Sequence, residues 1–266
     1  MKIIATGLTG TIGRKIDRSI TPAKVVLGSE RLTDFFDPND GPLTLIHLGG
    51  VVGESKVSED LDYSKYINVD ETLRLAREVI EVFGGKFIHI SSSHVYGPQE
   101  SPITEDFSFN PRSNYAKQKM QAEVELLSYF GDSNKQLTIL RVFSVLGWDV
   151  ADFTLGGAVK RIHSGSTESI SNADDIRDFM TPTTIARAIS DISKSGELSG
   201  VYNLCSGMGI SVGDAVREMF TVKKYEKGYL QLLPGNSTSP RLVGDNTKIK
   251  KSGLNLELKW DPEGDL

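Results

Sequence analysis

The sequence predicts an α/β fold: a doubly wound parallel sheet with a small C-terminal lobe. Short apolar runs that end in glycine or serine alternate with longer segments of helical periodicity as far as Gly147. Beyond that residue the alternation loosens and the elements become shorter. Alternating strands and helices favour a parallel sheet covered by helices on both faces.

The first element is a strand over Ile3 to Ala5, and it leads into three regularly spaced glycines. Gly7 permits a sharp turn, Gly10 allows the backbone to approach a pyrophosphate, and Gly13 allows a following helix to pack closely. We expect that helix over Thr11 to Ser19, with an anion at its N-terminus. An isolated tight turn is the alternative. The residues predicted to hold a dinucleotide here are Gly7, Thr9, Gly10, Thr11, Ile12 and Gly13.

A second strand is expected over Lys24 to Leu27, and the residues after it select the cofactor. An acidic side chain at this point binds the ribose hydroxyls of NAD, whereas a basic or hydroxyl side chain accepts the 2′-phosphate of NADP. Ser29 and Arg31 follow the strand, and Arg14 could assist them. The balance favours NADP(H) slightly, while Glu30 keeps NAD(H) open.

The next elements continue the alternation. Strands are predicted over Leu43 to Leu48, Lys86 to Ile90 and Leu137 to Phe143, and helices over Asp62 to Asn68, Val69 to Phe83 and Asn114 to Phe130. Ligands of such sheets bind at the carboxyl ends of the strands. Further cofactor contacts are therefore predicted at Leu48, Gly49, Gly50, Ser91, Phe143 and Ser144.

The remaining chain is expected to add short elements. These are helices over Phe153 to His163, Thr183 to Ser193 and Val212 to Phe220, and strands over Ser169 to Ser171 and Val201 to Leu204. We expect residues 1–147, with part of 172–205, to form a dinucleotide-binding domain. Residues 148–171 and 206–266 would form the smaller substrate lobe.

Ser92, Tyr115 and Lys119 suggest acid–base chemistry. Tyr115 and Lys119 are four residues apart and share one face of the predicted helix. A nearby ammonium and a cationic nicotinamide ring would lower the pKa of the tyrosine from its usual value near 10. The phenol could then exchange a proton with a sugar hydroxyl during hydride transfer, while Ser92 holds the same oxygen. Lys119 could also bind the nicotinamide ribose.

Composition excludes several other classes. The net charge of −5 without long charged runs argues against nucleic acid as the main partner. The single cysteine, Cys205, excludes an internal disulfide and fits a reducing cytoplasm. No signal sequence and no membrane span are expected, and the four histidines show no metal-ligand spacing.

Together these motifs resemble the extended short-chain dehydrogenase/reductase family, in its sugar-nucleotide epimerase/dehydratase branch, which has a Rossmann-like fold. The resemblance rests on Thr6–Gly13, Leu45–Gly50, Asn68-Val69, Ser92–Gly97, Tyr115–Lys119, Arg141–Gly147, Arg177–Phe179, Val201–Asn203, and Arg241 with Asp245. Ser144 stands where the family usually has asparagine. Ser93 and His94 replace the Asp-Glu pair of the dehydratases, which argues against dehydration.

The resemblance implies an NAD(P)-dependent epimerase or reductase that acts on a nucleotide-linked sugar by hydride transfer. It places Arg177 and Arg241 at the sugar-nucleotide diphosphate, with Ser93 and His94 also facing the substrate; His94 could be a second proton-transfer group. A homodimer through the two long helices is expected. Two alternatives are a dehydrogenase of a free sugar or uronic acid, and a non-catalytic dinucleotide-sensing protein.

Overall fold

A computed structural model describes residues 2–22, 30–131, 134–224, 230–235 and 240–265. A central parallel sheet has six strands in the described chain: β1 (Lys2–Thr6), β2 (Thr21–Pro22), β3 (Leu43–His47), β4 (Lys86–Ser92), β5 (Leu137–Val142) and β6 (Gly200–Leu204). Their order is β6-β5-β4-β3-β1-β2. The chain leaves β1 toward β2 and returns on the other side at β3, so the crevice between β1 and β3 is the topological switch point.

Helices lie on both faces of this sheet. The helices of the described chain are Glu54–Glu59, a continuous helical segment over 61–82 that alternates between α- and π-helical turns, Asn114–Phe130, Leu155–His163, Pro182–Ser195, Val212–Val222 and Thr247–Lys250. Leu155–His163 and Val212–Val222 pack together in an apolar cluster apart from the sheet. Single 3₁₀ turns occur at Gly13–Lys15, Leu32–Asp34, Pro38–Asp40, Ser93–Val95 and Glu263–Asp265. The predicted parallel sheet with helices on both faces is thereby confirmed.

The two faces of the sheet carry separate apolar cores. On one face, Ile46, Ile88 and Leu140 pack against the helix Pro182–Ser195 and the segment around Leu258. On the other face, strand residues pack against the 61–82 and 114–130 helices; the cluster includes Leu45, Phe87, Ile139, Leu75 and Leu126. Alternate residues of the buried strands therefore point to opposite cores.

Short strands outside the central sheet position the C-terminal part of the chain. Ser144–Val145 pairs with Phe179–Met180, Ser169–Ile170 pairs with Gln231–Leu232, and Ile176–Arg177 lies between Ile210–Ser211 and Arg241–Leu242. These pairings bring the chain after β6 back over the carboxyl edge of the central sheet.

The prediction of a long helix after the glycines is wrong. Only Gly13–Lys15 forms a helical turn, and Ile16 already has an extended backbone with ψ of 144°. Asp17 then donates its backbone N–H to Ser190 Oγ at 3.3 Å, and its carboxylate pairs with Lys194 Nζ at 2.5 Å. Contacts with the helix Pro182–Ser195 therefore end the turn early. The strand expected over Lys24 to Leu27 lies outside the described residues.

Candidate active site

The glycine loop packs so closely that two of its glycines cannot carry a side chain. Gly7 has φ of +71°, and a Cβ there would lie 2.6 Å from the backbone of Leu48 and Gly49. A Cβ on Gly13 would lie 2.2 Å from the carbonyl oxygen of Gly7. Gly10 is exposed, with its N–H donating to Gly7 O at 3.0 Å. This compact, open turn beside the switch point fits the pyrophosphate of a dinucleotide.

Replacing Gly7 by alanine is expected to weaken dinucleotide binding at least tenfold and to lower the melting temperature. The added methyl group has to displace the backbone of the β3 loop, and the residue is also strained at positive φ. Gly84→Ala is the matched control, because Gly84 has φ of +58° but nothing within 4 Å of its Cβ position. Thermal-shift titration with NADPH and NADH measures both quantities. Equal loss of affinity in the two variants would contradict the packing argument.

The loop after β3 is held by an amide network that reaches the helix of Tyr115. Asn68 accepts a hydrogen bond from Val51 N at 2.8 Å and donates to Val51 O at 3.0 Å. It also donates to Gln118 Oε1 at 2.8 Å, and Gln118 donates to Ser64 Oγ at 2.9 Å. A Cβ on Gly50 would lie 2.8 Å from Asn68 Oδ1, so this glycine gives the amide room. Sequence reasoning identified Asn68 only as a family landmark and missed Gln118.

A buried histidine joins the glycine loop to the same network. His47 Nδ1 lies 2.8 Å from Thr6 Oγ1, which also accepts from Gly49 N at 3.1 Å. His47 Nε2 lies 3.1 Å from Thr72 Oγ1. Burial, with the charge of Lys119, lowers the pKa of His47 to about 3, so the ring is neutral at pH 7. The ends of β1 and β3 are thereby fixed relative to each other.

The 114–130 helix begins at a doubly capped N-terminus. Ser113 Oγ accepts from Ala116 N at 3.1 Å, which is the usual cap for this position. Glu54 Oε2 accepts from Tyr115 N at 3.0 Å. Burial alone would raise the pKa of Glu54, but hydrogen bonds from the backbone of Tyr115 and Asn114 hold it below its usual value. Glu54 was not predicted, since no local pattern connects it to a helix sixty residues further on.

Tyr115 and Ser92 meet at the carboxyl edge of the sheet. Their hydroxyls interact, and the Tyr115 ring lies edge-on to that of His94, with 6.1 Å between the ring centroids. Burial raises the pKa of Tyr115 to about 12, and the hydrogen bond with Ser92 opposes this rise only in part. The protein's own groups therefore hold the pKa of Tyr115 above its usual value, and the expected lowering, which also requires a cationic nicotinamide ring, stays a prediction.

Lys119 lies one turn further along the helix and is 5% exposed. Its Nζ donates to the carbonyl oxygen of Ile90 at 2.9 Å. Burial lowers the pKa of Lys119 to about 8, and the nearby charge of Glu123 offsets part of that shift. The carbonyl of Ile90 thus fixes the ammonium close to the end of β4.

His94 lies beside Tyr115, and Arg177 lies near His94. The His94 side chain is exposed within the cleft, and the surrounding protein, followed by the positive charge of Arg177, lowers its pKa. Arg177 Nη2 donates to Asp175 Oδ2 at 2.7 Å, and its side chain is 17% exposed. A neutral imidazole therefore borders the phenol and a cation lies near that imidazole, which suits an anionic, oxygen-rich ligand.

The side chain of Arg241 points in a different direction from that of Arg177. In the short sheet Arg241 is paired with Ile176, whereas Arg177 is paired with Leu242, so the two arginines point to opposite faces. Arg241 Nε donates to Glu100 O at 2.9 Å. The structure therefore brings Arg177, but not Arg241, beside His94.

Several residues that were predicted to contact the cofactor or the substrate make contacts inside the protein instead. Ser91 donates its hydroxyl to Glu123 Oε1, inside the protein. The Phe143 ring packs in an apolar cluster with Tyr96, Cys205 and Leu242. Ser93 is buried, Leu48 packs on the core, and Ser144 is half-buried, its N–H donating to Asp178 O at 2.9 Å. The side chains of Ser91 and Phe143 are thus engaged inside the protein.

Two of the residues predicted to select the cofactor, Arg14 and Arg31, lie in the described part of the chain. Arg31 is exposed and lines a surface cavity of about 470 Å³ against the 61–82 helix. Its N–H donates to Asp34 Oδ2 at 2.7 Å. Arg14 pairs with Asp149 at 3.0 Å. Ser29 lies outside the described residues.

A buried network of charged and polar side chains holds the helix that carries Tyr115 and Lys119. Glu123 accepts two hydrogen bonds from Arg141, at 2.9 Å from Nε and 2.7 Å from Nη2. Arg141 Nη1 also donates to Tyr96 Oη at 2.5 Å, and Tyr96 donates to Asn203 Oδ1 at 2.9 Å. Three landmarks of the resemblance, Tyr96, Arg141 and Asn203, are thus explained as one network that fixes the 114–130 helix to β4, β5 and β6.

A second buried acid, Asp178, organises the C-terminal part. It accepts hydrogen bonds from Ser206 N at 2.8 Å, Gly207 N at 2.9 Å and Gly244 N at 3.3 Å. Burial raises the pKa of Asp178, and these donors oppose the rise. The residue next to Arg177 therefore anchors two loops and so sets where that arginine lies.

A parallel sheet with a glycine loop at its switch point places the chain among the dinucleotide-binding α/β enzymes of the extended short-chain dehydrogenase/reductase group. The chain belongs to the NAD dependent epimerase/dehydratase family, whose model matches residues 3–205. It is therefore an NAD(P)-dependent sugar epimerase/oxidoreductase by class.

Similar proteins cover most of the chain. The GDP-6-deoxy-D-mannose reductase of Pseudomonas aeruginosa is 25% identical over 98% of this chain and 92% of its own length. A UDP-glucose 4-epimerase of Mycolicibacterium smegmatis is 34% identical, over 68% of this chain and 58% of its own. Among solved structures, the UDP-N-acetylglucosamine 4-epimerase of Methanobrevibacter ruminantium matches with a TM-score of 0.81 and 21% identity, covering 96% and 93% of the two chains.

A structure of the P. aeruginosa protein RMD with NADPH matches with a TM-score of 0.78 and 21% identity, covering 100% of this chain and 96% of the other. Likenesses at this level of identity establish the fold. The described residues contain no helix that is both long and apolar enough to cross a membrane.

Proposed function

We propose that the protein reduces a keto group on the sugar of a sugar nucleotide, using a nicotinamide cofactor as the hydride donor. The match to a reductase over nearly the full length of both chains carries this choice. The buried Tyr115 phenol, which meets Ser92 at the carboxyl edge of the sheet, can donate a proton to a carbonyl oxygen as hydride arrives.

The geometry supports the following roles. Tyr115 donates the proton, Ser92 holds the carbonyl oxygen, and Lys119 binds the nicotinamide ribose from its position on Ile90 O. Arg177 neutralises the diphosphate and His94 lines the sugar side, whereas Ser93 is buried. Arg241 contributes only if its side chain leaves the carbonyl of Glu100. When bound, the cofactor supplies hydride at its nicotinamide ring.

The cofactor would lie over the glycine loop and on Gly49-Gly50. We favour NADP(H) slightly, because Arg14, next to the glycine loop, and Arg31 are both exposed, and because a structural neighbour binds NADPH. Residues 1–147 with part of 172–205 would bind the dinucleotide. Residues 148–171 and 206–266 would bind the sugar.

Cofactor consumption distinguishes reduction from epimerisation. Purified protein is incubated with NADPH or NADH and nucleoside-diphosphate 4-keto sugars, and absorbance at 340 nm is followed. Reduction consumes one equivalent of cofactor per product. Parallel incubation with UDP-glucose and catalytic NAD, analysed by NMR, detects epimerisation, which consumes none. Epimerisation without net cofactor use would contradict the proposed reduction and favour the activity named for the 34% identical relative.

The pH dependence of reduction should follow the titration of the Lys119 ammonium group. Its pKa of about 8 keeps the ammonium charged below that pH, whereas Tyr115 stays protonated to about 12. We expect kcat/KM for the keto sugar to be constant between pH 7 and 7.5 and to fall above about pH 8, since this ratio reports groups of the free enzyme. A falling limb below pH 6.5 would assign control to His94 instead.

We further propose a cytoplasmic homodimer that pairs through the two long helices. They expose Leu61, Tyr63, Tyr66, Val82, Val124 and Tyr129. Contiguous exposed apolar surface is typical of subunit interfaces. The single, buried Cys205 is compatible with a reducing compartment.

Val124→Glu should convert the dimer into a monomer, because it introduces a charge into the centre of the proposed interface. Size-exclusion chromatography with light scattering measures the mass. Met208→Glu is the control, since Met208 is 72% exposed and lies in the loop after β6. A monomeric wild type, or a Val124→Glu variant that remains dimeric, would contradict this interface.

A further inference from the structure

Ser91 lies in the chain between two residues that contact the phenol and the ammonium of the site. Its neighbour Ile90 accepts a hydrogen bond from Lys119 Nζ at 2.9 Å. Its other neighbour, Ser92, interacts with the Tyr115 hydroxyl. Ser91 itself is only 3% exposed. Any contact that fixes the backbone of Ser91 therefore also fixes one partner of Tyr115 and one partner of Lys119.

The side chain of Ser91 makes a third contact with the same helix. Its hydroxyl donates to Glu123 Oε1. Glu123 comes four residues after Lys119 and eight after Tyr115, so the three side chains share one face of the helix. The end of β4 and the 114–130 helix are thus joined at three successive strand residues, and Ser91 makes the middle contact.

The acceptor of this hydrogen bond is held in place by other residues. Glu123 is fully buried and accepts from Arg141 Nε at 2.9 Å and from Nη2 at 2.7 Å. Arg141 lies opposite Ser91 in the register of β4 and β5, and its Nη1 also donates to Glu105 O at 2.9 Å. The carboxylate is therefore a fixed point to which the hydroxyl of Ser91 attaches.

The contact of Ser91 differs from the other two because it can persist through turnover. Under the proposed function, Lys119 binds the nicotinamide ribose, and Tyr115 and Ser92 share the carbonyl oxygen of the substrate. Ser91 and Glu123 are 3% and 0% exposed, so their hydrogen bond is not open to either ligand. It can keep the strand and the helix aligned while the neighbouring groups exchange partners. Reacting groups have to be held to within about 0.5 Å of the productive geometry.

We propose that Ser91 is a positioning residue for the reduction. Its hydrogen bond to Glu123 holds the end of β4, with the Ser92 hydroxyl, against the helix that carries the phenol. This rests on the proposed function, because Tyr115 and Lys119 keep the roles given to them there.

The test is steady-state reduction of the keto sugar by Ser91→Ala. We expect kcat to fall about tenfold, because the reacting groups lose their alignment. The KM for NADPH and its Kd from fluorescence titration should stay within about twofold, because the glycine loop is not changed. Ser193→Ala is the matched control. Ser193 is fully buried and donates to Ser190 O at 2.8 Å, in a helix on the other face of the sheet. This control should keep the wild-type kcat.

The pH profile separates a positioning role from a purely structural one. The Ile90 carbonyl stabilises the Lys119 ammonium, so displacing that carbonyl disfavours the charged form and lowers the pKa of Lys119. The alkaline fall in kcat/KM should therefore begin about half a pH unit lower in Ser91→Ala than in the wild type. Ser193→Ala should leave the profile unchanged.

The charged groups around Lys119 are the same in Ser91→Ala and in the wild type. Glu123, on the same helix, stays paired with Arg141. His47 on β3 and His89 on β4 are buried, and burial lowers the pKa of each, so both are neutral above pH 7. A shift of the alkaline limb would thus report the position of the strand carbonyl and not a lost charge.

Two results would overturn the positioning role. One is a kcat for Ser91→Ala within about twofold of the wild type, or no lower than that of Ser193→Ala. The other is an alkaline limb that does not move, which would leave Ser91 with a structural role alone. If Ser91→Ala does not fold, Ser91→Cys replaces it with the same expectations, since a thiol is a weak donor. A wild type that epimerises and does not reduce refutes only the proposed function, and the variants are then compared by their rates of epimerisation.

Discussion

Tyr115→Phe is expected to lower kcat for keto-sugar reduction by about 10³-fold while NADPH binding stays within twofold of the wild type. Removing the hydroxyl removes the proton donor, and positioned general acids contribute about 10²- to 10⁴-fold. The ring itself remains, so its edge-on contact with His94 and the helix start at Glu54 are preserved. Steady-state kinetics and a fluorescence titration with NADPH measure the two effects.

Tyr202→Phe provides the control for this experiment. Tyr202 lies in β6, and its ring contacts Lys248 Nζ at 4.8 Å from the centroid, away from the cleft. Its activity should equal that of the wild type. If Tyr115→Phe retains more than a tenth of the wild-type kcat, another group donates the proton, and His94 is the neighbour to test next.

The strands and the placement of the site could be predicted because both depend on short-range patterns. Buried parallel strands are continuous apolar runs, and Leu43–His47 and Leu137–Val142 are evident as such. The spacing of Tyr115 and Lys119 fixes them on one face of a helix regardless of tertiary context. The 114–130 helix has the predicted bounds, since Ser113 caps it and Gly131, at φ of +79°, ends it.

The predictions failed where contacts between residues far apart in the sequence determine the local structure. The helix after Gly13 ends early because Asp17 is captured by Ser190 and Lys194, about 175 positions away in sequence. The sequence also does not reveal that Lys119 donates to the Ile90 carbonyl and that burial raises the pKa of Tyr115. Glu54 and Gln118 were missed for the same reason, since their partners lie in separate elements.

The buried pair of Glu123 and Arg141 shows most clearly what sequence could not reveal, and it gives the largest expected effect on stability. Glu123 is fully buried and Arg141 is 4% exposed at its side chain. Glu123→Ala would leave the guanidinium without its counter-charge and the Ser91 hydroxyl without its acceptor. Breaking a buried pair in this way costs about 3–5 kcal/mol. We expect that loss in the free energy of unfolding, measured by urea denaturation.

Glu123→Gln and Glu125→Ala complete the comparison. The glutamine keeps an oxygen acceptor for Ser91 or Arg141 but no charge, so its loss of stability should be intermediate. Glu125 lies in the same helix, partly exposed, and accepts from Gln121 at 2.7 Å; its removal should cost less than about 0.5 kcal/mol. A Glu123→Ala variant within 1 kcal/mol of the wild type would mean that water or a rotated Tyr96 compensates Arg141. In that case the network would not be what holds the helix of Tyr115 and Lys119 against the sheet.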